Sequence, residues 1–114
     1  MLIKANEMPR IDRPNWRGGK GVPCILKADP STYPNKWKLI GVMEFPAGTS
    51  IGKHEHVGET ELYFVLSGKG LVTDGDEQIM VEAGDALLTG NGACHCIECV
   101  GDELLRVLAV IVEE

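Results

Sequence analysis

Apolar and polar positions alternate in short runs along most of the chain. LYFVL, LVT, QIMV, ALLT and LLRVLAVIV are rich in apolar and β-branched residues. Turn signals separate them: PAG at 46–48, VGE at 57–59, SGKG at 67–70, DGD at 74–76, EAGD at 82–85, GNG at 90–92 and GDE at 101–103. Short strands spaced by Gly/Asp turns indicate an all-β sandwich or barrel. DGD between LVT and EQIMV predicts a hairpin, because Asp and Gly tolerate the positive φ of tight hairpin turns. From residue 36 onward no stretch has the period of an amphipathic helix. Residues 1–35 are less regular. Pro9, Pro14, Pro23, Pro30 and Pro34, with NWRGGKG, predict irregular chain with one or two short strands. No repeat or low-complexity tract marks a second domain, so residues 1–35 are expected to join one domain with a barrel over 36–114.

Composition narrows this picture. A chain of 114 residues is long enough for a hydrophobic core without disulfide staples. The net charge of −6 argues against nucleic acid or an anionic membrane surface as partner, since both select basic patches. No run approaches the roughly 20 apolar residues of a membrane span. MLIKANEMPR lacks the apolar core of a signal peptide, so a cytoplasmic location is expected. Four cysteines in a reducing compartment do not make a disulfide framework.

The chemistry concentrates in GTSIGKHEHVGETELYFVLSG, residues 48–68, which holds two of the three histidines. On a strand, residues i and i+2 share a face. His54 and His56 therefore point to one side and Glu55 to the other. VGET reverses the chain, and Glu61 on the next strand is placed to bring a carboxylate to the same point. His95 begins a strand after GNGA. Three imidazoles and a carboxylate suit one divalent transition metal: Mn, Fe, Ni, Cu or Zn.

These residues resemble the motifs of the cupin superfamily. Its first motif is met at every spacing by Gly48, His54, His56, Glu61 and Gly68. The second is met by Gly84, Gly92 and His95, with Gly90 where the family has proline and Cys99 where it has asparagine. The motifs span residues 48–99. The resemblance implies a double-stranded β-helix, or jelly-roll barrel, with one metal held by His54, His56, Glu61 and His95. The two departures bear on turn geometry and the pocket wall rather than on a ligand.

Alternation from Glu61 puts Tyr63 and Val65 inside with Leu62 and Phe64 outside; alternation from His95 puts Ile97 and Cys99 inside with Cys94 and Cys96 outside. Tyr63 is a candidate acid or base, or else a core aromatic whose hydroxyl bonds to backbone. Val65, Ile97 and Cys99 are candidate pocket walls, and Cys99 is alternatively only a space-filler. Arg106 clamps an anion if it faces inward; the outward reading, an ordinary surface charge, is the favoured one. Trp16, Arg17 and Lys20 either cap the barrel mouth or lie in a mobile surface loop, the latter being the simpler expectation. Cys96-x-x-Cys99 has half the spacing of a zinc knuckle but no second half.

Two functions follow. One is a small metalloenzyme acting on an oxygen-rich metabolite such as a sugar acid, keto acid or enediol, by isomerisation, decarboxylation or dioxygenation; this is the favoured reading. The alternative is a barrel that binds or senses a small ligand without turning it over. A homodimer is expected as well, because small single-barrel cupins pair, and because LLRVLAVIV would make a hazardous edge if left exposed.

Overall fold

A computed structural model describes all 114 residues. Ten strands make up most of it: β1 (Arg10–Asp12), β2 (Cys24–Lys27), β3 (Trp37–Phe45), β4 (Ser50–Glu55), β5 (Glu59–Ser67), β6 (Lys69–Asp74), β7 (Glu77–Glu82), β8 (Ala86–Thr89), β9 (Cys94–Val100) and β10 (Leu105–Glu113). They form two antiparallel sheets, one ordered β1-β2-β3-β10-β5-β8 and the other β4-β9-β6-β7. The fold is a jelly-roll barrel. The DGD hairpin joins β6 to β7, with Asp74 opposite Glu77 and Gly75 at φ +62.

The core lies between the sheets and draws on both. Phe45, Met43, Val107 and Leu105 from one sheet meet Ile51, Val72 and Ile97 from the other. Side chains alternate as the strand period requires. In β5, Glu61, Tyr63 and Val65 are buried while Phe64 and Leu66 are exposed; in β9, His95, Ile97 and Cys99 are buried while Cys94 and Cys96 are half-buried.

Two departures from regular pairing position the site. The first is in β4, where Ile51 opposes Ile97 and His54 opposes His95. Three steps on β4 match two on β9, so β4 carries one extra residue, a β-bulge. Without it Ile51 and His54 would face opposite sides of the sheet; with it both point inward. The second is in β3, where Leu39 opposes Ile111 and Trp37 opposes Val112. Lys38 is the extra residue there.

The segment 1–35 is docked on the barrel. β1 pairs with β2 and β2 with β3, extending the six-stranded sheet. The stretch holding Trp16, Arg17 and Lys20, expected to be mobile, is instead pinned to β4: Ser50 N donates to Lys20 O at 3.0 Å and Lys20 N donates to Ser50 Oγ at 3.0 Å. Glycine permits this close approach. A Cβ on Gly52 would lie 2.2 Å from Arg17 O, and one on Gly19 would lie 2.2 Å from Ser50 O.

The expected exposed apolar edge does not exist. β10 lies between β3 and β5, so its backbone is paired on both sides. The edge argument for a homodimer therefore falls. The edges are β1, β8, β4 and β7. No helix is long and apolar enough to cross a membrane.

Candidate metal centre

His54, His56, Glu61 and His95 come together as a group able to hold a metal ion, their ligand atoms all within 4.8 Å of one another. His54 sits on β4 beyond the bulge, and His56 follows the strand's last residue. Hydrogen bonds from His56 N to Ala93 O and from Gly92 N to His56 O fix His56 against the GNGA turn. Glu61 comes from β5 and His95 from β9. The centre thus joins one sheet through Glu61 to the other through the histidines.

The histidine partners determine which nitrogen faces the centre. His54 Nδ1 lies 2.8 Å from Gly52 O, and His56 Nδ1 lies 2.6 Å from Glu59 Oε2. Both partners only accept, so each Nδ1 carries a hydrogen and each ring turns its Nε2 toward the centre. His95 Nε2 stands 2.9 Å from His54 Nε2 and 3.0 Å from His56 Nε2. Glu61 Oε1 stands 2.9 Å from Nε2 of both His56 and His95, and 3.9 Å from that of His54. Lone pairs gathered so closely repel unless a proton or cation sits among them. Ligands about 2.1 Å from one ion stand about 3.0 Å apart at right angles, against about 3.4 Å in a tetrahedron. Ligand atoms this close together converge on one point between the strands, where a single ion would be held. The residues fit a divalent transition metal.

Electrostatics keep the ligands in binding form. Burial alone would raise the Glu61 carboxyl, but the surrounding histidines hold it down to about 2. Burial holds His95 below the ordinary imidazole value, against the pull of Glu61. Both states favour coordination, which needs an ionised carboxylate and a neutral imidazole.

One feature of the site escaped the sequence reading. Glu59 bonds His56 Nδ1 through one oxygen and accepts from Lys38 Nζ at 2.6 Å through the other. Burial pushes this carboxyl up, but Lys38 and His56 together hold it below its usual value. A carboxylate three residues after a ligand histidine, across a Val-Gly turn, was the available signal. Carboxylates behind ligand histidines typically set metal affinity by a factor of about 10–100. Glu59→Ala is accordingly expected to weaken metal binding about 10- to 100-fold without unfolding the barrel. Competition against a chromogenic chelator, beside circular dichroism, measures both; unchanged affinity would remove Glu59 from the centre.

A cavity of about 150 Å³ opens on the centre. Its walls are Trp16, Arg17, Leu39, Met43, Ile51 and Ile111, beside His54, His56, Glu61 and Tyr63. Trp16 stacks on Phe45 with centroids 6.4 Å apart, and Arg13 lies over its ring at 6.0 Å. Arg17 adopts the left-handed conformation, φ 53 and ψ 35, which costs a non-glycine residue roughly 1–2 kcal/mol.

Tyr63 stacks on His95 at 4.5 Å and 17°. Its buried hydroxyl has no hydrogen-bond partner. Burial and the nearby Glu61 carboxylate push that hydroxyl well above its usual value, so it keeps its proton. Val65, Ile97 and Cys99 lie in the core cluster and do not line this cavity. They sit farther along strands whose near ends carry the ligands. Arg106 takes the outward position and donates from Nε to Glu44 Oε2 at 3.0 Å. The four cysteines form no disulfide, and Cys99 Sγ contacts Glu103 O at 3.5 Å.

A largely buried three-histidine, one-carboxylate cluster between the sheets of a jelly-roll barrel forms a group able to hold one metal ion beside a small cavity. The family model described as the cupin domain matches residues 41–111, and the chain belongs to the cupin family. It is 36% identical over 113 residues to a Thermotoga maritima protein described as an oxalate-binding protein, covering 98% of this chain and 93% of that one. The crystal structure of a "predicted oxalate decarboxylase" from Thermotoga maritima superposes with a TM-score of 0.94 at 35% identity, covering 100% of both chains. A cupin protein from Bacteroides fragilis matches with a TM-score of 0.70 at 27% identity, over 78% of this chain and 75% of that one.

Proposed function

We propose that this protein holds one divalent transition metal at His54, His56, Glu61 and His95 and uses it to bind a small carboxylate of the oxalate class. One observation carries the reading: the ligand cluster opens onto a cavity of about 150 Å³, far below the roughly 300–1,000 Å³ of drug-sized sites. Such a space suits a molecule of a few heavy atoms. The likeness to the Thermotoga maritima protein described as oxalate-binding supports the choice of ligand. Three imidazoles and one carboxylate suit manganese, iron, nickel, copper or zinc.

A metal bound there would supply a Lewis acid for carboxylate oxygens. The chain's own residues do the rest. His54 and His56 are held with Nε2 toward the centre by Gly52 and Glu59, Glu61 stays ionised, and Trp16, Leu39 and Ile111 give the cavity apolar walls.

The second reading is turnover, and the unpartnered Tyr63 hydroxyl favours it. Decarboxylation of oxalate takes up one proton and releases one carbon dioxide and one formate. Apart from the ligands and Tyr63, no proton-transferring side chain lines the cavity, so binding without turnover is the better supported of the two.

Calorimetric titration of oxalate into manganese-loaded protein, with formate assayed in parallel, tests both readings. Saturable oxalate heat without formate supports binding, and formate release establishes turnover. No heat and no formate would overturn the oxalate reading. For assembly we propose a homodimer packed through the outer face of the six-stranded sheet, where Phe64, Leu66 and Leu88 are exposed. A single-chain mass in sedimentation velocity would overturn it.

A further inference from the structure

We infer that Arg17 is the specificity residue for the ligand, gripping the carboxylate that points away from the metal. This rests on the oxalate-class reading and deepens it. Four observations converge. Arg17, itself exposed to solvent, is the one Lys or Arg residue lining the cavity shared with His54, His56, Glu61 and Tyr63. It has no ion-pair or hydrogen-bond partner among the side chains of the chain, whereas nearby Lys20 pairs with Glu98 at 3.6 Å. Its backbone is held in the left-handed region. Its carbonyl packs so tightly on Gly52 that only glycine fits there.

The last two points belong together. Left-handed backbone at a residue other than glycine persists only where the surroundings enforce it, and such residues gather at binding sites. Here the Ser50–Lys20 hydrogen bonds and the Gly19 and Gly52 contacts supply the enforcement, placing residue 17 over the cavity. The same bulge gives His54 its Gly52 hydrogen bond. One feature of β4 therefore sets a metal ligand and the Arg17 position together.

Charge and size then select the ligand. A divalent ion with ionised Glu61 leaves one net positive charge, and Arg17 supplies a second, matching a dianion. The remaining walls, Trp16, Leu39, Met43, Ile51 and Ile111, offer almost nothing polar to the far end of a ligand. A short dicarboxylate meets both cations. A monocarboxylate meets only the metal.

Arg17→Gln and Arg17→Lys in the full-length, manganese-loaded protein test this by calorimetric titration with oxalate and with acetate, metal content being measured on the same samples. Arg17→Gln is expected to weaken oxalate about 10- to 100-fold, as for loss of a charge-assisted hydrogen bond. Acetate affinity and metal content should stay unchanged, and Arg17→Lys should recover part of the loss. Oxalate binding that is equal in wild type and Arg17→Gln would overturn the assignment while leaving the metal-and-oxalate reading intact. Parallel loss of acetate, oxalate and metal would also overturn it, by making Arg17 structural. Wild-type protein that carries manganese and ignores oxalate would sink the reading on which the assignment rests.

Discussion

A His54→Ala/His56→Ala double variant is expected to purify essentially free of transition metal, while wild type prepared alongside carries close to one equivalent. Binding energies of about 10–16 kcal/mol at four-ligand transition-metal sites put each ligand near 3 kcal/mol, so two lost ligands cost roughly 10⁴-fold in affinity. The barrel should survive the change. His54 lies at the cavity, half-buried, and His56 lies just past the end of β4; neither belongs to the hydrophobic core cluster. His95 would be a poorer choice for the test, because Tyr63 stacks on it and its removal would leave a void. Glu55→Ala is the control: it sits between the two histidines, faces solvent, and should leave metal content unchanged. Elemental mass spectrometry on tag-free protein, with circular dichroism for folding, gives the answer. Equal metal in wild type and the double variant would place the ion elsewhere and end the proposal.

How much of this centre could be read beforehand depends on which residues local pattern governs. The ligands were legible because two of them share a strand face and because the glycine frame around them has fixed spacing. Glu61 and His95 came with the spacing of the cupin motifs, and alternation from Glu61 then placed Tyr63 on the same face of β5. Alternation gives the face but not the depth. Val65, Ile97 and Cys99 are on the correct face yet sit in the core, because the cavity is confined to the end of the barrel closed by Trp16 and Arg17. That closure comes from a segment without periodicity, whose docking depends on paired glycines meeting a bulge. The bulge is itself invisible to a period-2 pattern: strict alternation puts Ile51 and His54 on opposite faces, and the structure puts both inside. Lys38 and Glu59 were out of reach for another reason. They belong to β3 and β5, which flank β10, so their meeting depends on sheet order and on a second bulge.

Metal removal should expose how far the ion holds the barrel together. Three ligands come from the four-stranded side and Glu61 from the six-stranded sheet, so a bound ion ties one sheet to the other. Without it, three imidazole nitrogens crowd around a buried, ionised carboxylate, an arrangement that only the native state assembles. An ion that binds the folded chain alone stabilises it by about 2.7 kcal/mol at a free concentration one hundred times its dissociation constant. For a domain of this size that corresponds to a rise in Tm on the order of 10 °C. Calorimetric scans of chelator-stripped protein, repeated at increasing manganese, should show Tm climbing with the logarithm of free metal. The His54→Ala/His56→Ala variant should show a flat line over the same range. The slope separates this effect from nonspecific salt stabilisation, since calcium at equal ionic strength offers a hard ion that three imidazoles bind poorly and should leave Tm where it was. A wild-type Tm indifferent to manganese would mean that the four ligands hold their places without an ion, and the centre would have to be understood as a hydrogen-bonded polar core.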